Sequence, residues 1–140
     1  ALHQSATKLR NHNLVLTKLA KSPALHGGDL KAALTEITEA SVDNIGVERA
    51  SVWLLDETGT KIKCLDLFEK SVNQHSEGLE IAAADYPAYF QALQQDEAIA
   101  ADDARTDPRT FEFAPSYLIP LGIVSMLDIP IRLRGQTAGV

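Results

Sequence analysis

Arg49-Ala-Ser-Val-Trp-Leu-Leu-Asp-Glu-Thr-Gly59 is the stretch on which the fold turns. From Arg49 to Asp56 the side chains are mostly apolar and show no clean polar face. That pattern predicts a strand covered on both sides. Asp56-Glu57-Thr58-Gly59 is a turn, built from an aspartate that bonds its own backbone and a glycine that tolerates the reversal. Lys61 to Glu69 reads as a second strand, so the segment forms a hairpin. Just before it, Asp29 is a good N-cap for a helix. Leu30, Leu34, Ile37 and Ile45 share one face of that helix, with Ala33 and Ala40 beside them. Gly46 is its C-cap.

Downstream the pattern is less regular. Residues 70–84 read as a polar loop with a short strand around Leu79-Glu80-Ile81. Asp85-Tyr86-Pro87 opens a helix, with Asp85 as N-cap, Pro87 in the first turn and Tyr86, Tyr89, Phe90 and Leu93 on its apolar face. Ala98 to Ala101 is a short strand, and 102–109 a loop in which Asp107-Pro108 is another helix-start signal. A short irregular helical stretch follows, limited by Pro115 and Pro120. Ile123 to Arg132 reads as one strong strand, Arg134-Gly135 as a turn and Gln136 to Val140 as the start of another strand. Upstream, Leu2, Leu9 and Leu16 recur every seven residues, with Leu19 following, so residues 2–21 read as a helix. Ser22-Pro23 and Gly27-Gly28 end it. The division expected is an N-terminal helix over 1–22 and a domain over 23–140.

At 140 residues the chain suits one domain with a real core. Its formal net charge of -6 argues against nucleic-acid binding, because phosphate backbones repel an acidic surface. A single cysteine, Cys64, allows neither an internal disulfide nor a multi-cysteine zinc site, which fits a reducing compartment. No apolar run approaches the roughly 18 residues that span a bilayer, and the residues at the start do not read as a signal peptide, so none is expected. A cytoplasmic location without direct membrane contact is expected. The chain stops inside an apolar strand, so a C-terminally truncated domain is expected too.

Three segments together resemble GAF domains. The hairpin starting at Arg49 resembles their first. Ile99-Ala-Ala-Asp-Asp-Ala-Arg-Thr-Asp-Pro-Arg109 resembles their central strand and the acidic loop after it. Gly122-Ile-Val-Ser-Met-Leu-Asp-Ile-Pro-Ile-Arg-Leu-Arg-Gly-Gln-Thr-Ala-Gly-Val140 resembles their last hairpin. The resemblance implies an α+β fold related to PAS domains. Its antiparallel sheet of five or six strands would carry helices on one face and a small-ligand pocket of loops and short helices on the other. It also implies a regulatory module that signals to an output kinase or cyclase/phosphodiesterase domain of a bacterial protein. The N-terminal helix would join a homodimer.

On this reading an unidentified small-molecule ligand is lined by Trp53, Tyr89, Phe90, Tyr117, Leu121 and Ser125. Tyr and Trp suit pocket walls because they join apolar area to a polar tip. Ser125, a polar residue in an apolar strand, needs a partner, either a ligand or a backbone carbonyl. The alternative is a ligand-free dimerisation and relay domain whose pocket its own side chains fill. A reductase is disfavoured, since one cysteine cannot run the thiol exchange such GAF-type enzymes use, and Cys64 alternates with Ile62 and Phe68 as a buried, inert residue would. No catalytic residue and no metal site is expected. His3, His12, His26 and His75 lack ligand spacing. His75 reads as a solvated loop residue, with a haem or ligand contact as the sharper reading. Asp102, Asp103 and Asp107 read as loop and capping residues. The cyclic-nucleotide signature of the family is absent.

Overall fold

The computed structural model describes residues 30–140. The helix expected over 2–21, the Asp29 cap and three of the four histidines lie outside the described residues. The described chain runs α1 (Leu30–Ile45), β1 (Arg49–Leu55), β2 (Lys61–Glu69), β3 (Gln74–Ser76), β4 (Glu80–Ala82), α2 (Pro87–Gln95) and β5 (Ile99–Ala101). A 3-10 turn (Phe111–Phe113) leads into a π turn (Ala114–Leu118), followed by β6 (Met126–Asp128), β7 (Ile131–Leu133) and β8 (Gln136–Gly139). One antiparallel sheet has the order β3-β2-β1-β8-β7, with β4 also paired to β2. β5 and β6 form a separate two-stranded ladder. This is the expected α+β class with a six-stranded sheet, but the strand resembling a central one, β5, stands outside that sheet.

The chain packs as two compact units, through both of which β1 and β2 run. The first comprises, among the described residues, 30–52 and 64–78. Here α1 ends as expected: Gly46 takes φ +77° and its N–H reaches the Val42 carbonyl at 2.9 Å. The buried stripe of α1 differs from the expected one. Ala33, Leu34, Thr38, Ser41 and Val42 are buried, while Leu30 is exposed and Ile37 and Ile45 are half-buried. Small hydroxyl residues can face inward because their donors are satisfied. Ser41 donates to the Ile37 carbonyl at 2.7 Å and Thr38 to the Asp66 carboxylate at 2.7 Å. In β2, Ile62, Cys64, Asp66 and Phe68 all point inward. β3 pairs with the end of β2 in the register Leu67 to Ser76, Phe68 to His75 and Glu69 to Gln74. His75 is therefore a strand residue, not a loop residue.

The second unit comprises Trp53–Lys63 and Leu79–Val140. Its hairpin turn closes on Asp56, whose Oδ1 accepts the N–H groups of Thr60 at 2.9 Å and Lys61 at 3.3 Å. Gly59 supplies the positive φ, +70°, that the turn needs. β1 is half-buried rather than covered on both sides, with Leu54 exposed. β8 meets β1 at Gly139 and Leu54, and Trp53 and Val140 exchange backbone hydrogen bonds of 2.8 and 3.0 Å. The single strand expected over Ile123 to Arg132 is two strands. Pro130 has no N–H to give a ladder, so β6 ends at Asp128 beside β5, and β7 starts at Ile131 beside β8. Arg134 and Gly135 both take positive φ, 54° and 78°, as a tight two-residue hairpin requires. The core of this unit gathers Ile62, Tyr89, Phe90, Leu93, Ile99, Phe113 and Leu118.

Candidate functional site

The candidate site lies in the second unit, where α2, β6 and the irregular segment 102–125 converge on that core. α2 enters it with its N-terminus capped from a distance. Asp85 is not the N-cap. Tyr86 occupies that position and makes no side-chain cap. Glu112, in the 3-10 turn, instead accepts the backbone N–H groups of Ala88 at 3.2 Å and Tyr89 at 3.0 Å. A carboxylate there satisfies two orphan donors and faces the positive end of the helix dipole. At the other end Arg132 donates to the Leu93 and Asp96 carbonyls, at 3.2 and 2.8 Å, and Thr137 donates to Leu93 at 3.2 Å. Both ends of this nine-residue helix are thus fastened by side chains distant in sequence.

Aromatic rings fill the space beneath. Tyr86 stacks on Phe113 with centroids 4.4 Å apart, Tyr89 meets Phe113 edge-on at 4.8 Å, and Phe113 meets Tyr117 at 6.4 Å. Within this apolar surround the Tyr89 hydroxyl donates to Asp128 Oδ2. Loss of solvent pushes the Asp128 carboxyl above the ordinary carboxylate value. Burial, then the adjacent Asp128 charge, pushes the Tyr89 hydroxyl well above 10. A hydroxyl that donates to a carboxyl inside an aromatic cluster is a polar pair that can orient a polar ligand atom among apolar walls.

The loop over this core is pinned by its own polar groups. Ala104 donates its N–H to the Val124 carbonyl at 2.7 Å, and Arg105 donates to that of Ile123 at 3.0 Å. Fully buried Thr110 donates to the Ala104 carbonyl at 2.6 Å. Asp107 is not a helix N-cap, since the 3-10 turn starts at Phe111 with Thr110 in that position. It accepts the Arg109 N–H at 2.9 Å within the preceding turn and pairs with the Arg109 guanidinium at 3.0 Å. That guanidinium holds the Asp107 carboxyl below the usual range. Asp102 and Asp103 are exposed, and no group of three metal-ligating side chains occurs among the described residues.

Of the six residues expected to line a pocket, Trp53, Tyr89, Phe90 and Tyr117 belong to or pack against one core cluster. Tyr89 and Phe90 are buried in it, while Trp53 and Tyr117 are half-buried. Leu121 is exposed, and Ser125 lies just ahead of β6 and is exposed, outside the strand that would have demanded a partner for it. Asp128 and Glu112 escaped the sequence reading. A lone acid in the apolar run Met-Leu-Asp-Ile was the available signal for Asp128. Glu112 offered none, because its partners lie more than twenty positions away. Cys64, in the first unit, is buried, and desolvation pushes its thiol up to about 11, so it is a poor nucleophile near neutral pH.

Residues 29–140 match the family model described as the GAF domain. Among solved structures, the chain is similar to the GAF domain from Acinetobacter phosphoenolpyruvate-protein phosphotransferase. Identity there is 17% over 95% of this chain and 73% of that one, with a TM-score of 0.59. It is similar to the Nlh2 GAF domain of A. aeolicus in an inactive state, at 13% identity over 97% and 77% of the two chains and a TM-score of 0.63. A segment of a methyl-accepting chemotaxis protein, residues 122 to 287, gives 15% identity, 93% and 78% coverage and a TM-score of 0.61. No curated protein is similar enough to count as a relative. No helix among the described residues is long and apolar enough to cross a membrane.

Proposed function

Because the chain belongs to the GAF family of regulatory and sensing domains, we propose that it senses a small molecule and passes the signal to an output domain of its parent protein. The observation that carries this reading is the Tyr89–Asp128 pair, a polar group set among aromatic rings under the 102–125 segment. A ligand there would contact Tyr117, Leu121 and Ser125 at the rim and Trp53 and Phe90 at the wall. Binding would shift the packing of α2 and the segment that Glu112 ties to it. The partners proposed are a kinase or cyclase/phosphodiesterase output domain and a second copy of the chain, joined through residues 1–22. No reaction of its own is proposed, and the setting is taken as cytoplasmic.

Native mass spectrometry of the purified protein tests this reading. A non-covalent adduct of small-molecule mass, lost on denaturation and absent in a Tyr89→Ala, Ser125→Ala double variant, is the expected result. An adduct that survives both substitutions would overturn the pocket assignment.

One observation favours a second reading. The rings of Tyr86, Tyr89, Phe113 and Tyr117 pack on one another, as they would in a relay domain whose core needs no ligand. A dimer without adduct, reduced to a monomer by removal of residues 1–22, would favour it. A bare monomer with and without those residues would sink it.

A further inference from the structure

His75 sits in the first unit on β3, a three-residue edge strand whose residues are all exposed. Its ring nevertheless has fixed partners on both sides. Nδ1 lies 3.0 and 2.9 Å from the two Asp66 carboxylate oxygens on β2. Nε2 lies 2.8 Å from Glu39 Oε1 on α1. The ring also stacks on Phe68, with centroids 4.7 Å apart. Asp66 is itself held by the Thr38 hydroxyl from α1.

A carboxylate only accepts hydrogen bonds, and a neutral imidazole carries one N–H. Both contacts are therefore hydrogen bonds only when the ring is the imidazolium. We propose that His75 is a proton-operated clasp, which as the imidazolium fastens α1 to the β2–β3 hairpin and as neutral imidazole lets go of one of the two. The charged groups around it are Asp66 from β2 and Glu39 from α1. Lys31 and Glu77 line the same open groove of about 400 Å³, through which solvent protons reach the ring. The bond to Glu39, then that to Asp66, raises the ring above its ordinary 6.5 against the opposing effect of burial. A raised folded value means that the clasp is fully closed below 6.5 and opens as pH rises through the folded value. The device reaches α1, the first described element of the chain, and does not depend on the ligand reading of the second unit.

The test uses the whole chain. His75 ring nitrogens are followed by NMR through a pH titration, and amide exchange of residues 74–76 is read in parallel, corrected for base catalysis. The expected result is a titration above 6.5 with both nitrogens protonated on its acid side, and a several-fold loss of β3 protection across it. His75→Gln removes that step. If His75→Gln does not fold, Glu39→Gln, which keeps the Asp66 contact, moves the step to lower pH. A ring that titrates at or below 6.5, protection without a step, or a step unchanged in these variants overturns the proposal.

Discussion

Asp128 shows how a single residue can work against the fold that holds it. Withdrawal from water favours its protonated form, which the folded chain binds more tightly than the unfolded one does. The sign of the linkage follows from that. Its contribution is most favourable below the unfolded value near 3.8 and declines as pH rises through the raised folded value. Asp128→Asn keeps the shape and an acceptor for the Tyr89 hydroxyl while removing the charge. It should be more stable than the parent near neutral pH and should lose that advantage below about pH 4. Urea unfolding at the two pH values checks this, and a less stable variant near neutrality would show that the charged pair stabilises the fold. Strained ionisable residues of this kind concentrate at functional sites. Sequence alone shows an acid in an apolar run, but not whether it faces water. The inward-facing Cys64 was easier to read, because Ile62 and Phe68 mark its side of the strand. Asp66 lies on that same side and was missed, since nothing in the period says that Thr38 and His75 wait for it.

Elements were legible where their ends are local. α1 carries its own stop in Gly46, and the first hairpin its own turn in Asp56 and Gly59, so both fall where the residues put them. α2 is different. Its nearby cap signal, Asp85, is unused, and the donors at its start are satisfied by Glu112 from a later turn. Glu112→Ala should cost about 1 kcal/mol, the ordinary price of a lost cap, seen as a lower urea midpoint. No change would mean that water replaces the carboxylate without loss. β3 was invisible because Gln-His-Ser offers neither alternation nor β-branched residues, and it is held instead by its pairing with β2 and by the contacts of His75. Gly139 is a position where β8 tolerates nothing larger. A Cβ there would sit 2.2 Å from the Trp53 carbonyl oxygen. Gly139→Ala should lower stability by about 1–3 kcal/mol, as overpacking does, by prising apart the strands where Trp53 and Val140 exchange hydrogen bonds. A thermal melt unchanged from the parent would refute that.

For the whole molecule, these groups set a pH profile. Asp107 is held below 3.8 by Arg109, so its contribution is present above that value and lost as pH falls through the lower folded one. His75 acts in the opposite sense, losing its contribution above 6.5. Asp107 and His75 together favour the range between their two titrations, from which the decline at Asp128 above 3.8 subtracts, so urea midpoints should fall below the Asp107 titration and above the His75 one. A midpoint that keeps rising above neutrality would contradict the His75 assignment. At this scale the sequence was most informative, because a hairpin, an acidic loop and a last hairpin in that order suffice to recognise the GAF architecture. It was least informative about the site, which depends on long-range pairs that no local period encodes.

Pro130 joins two ladders that a single strand would have merged. Its ring locks one backbone torsion of the two-residue link, Ile129 and Pro130, that separates them. Whatever displaces the β5–β6 ladder therefore has only these two residues of chain between it and β7.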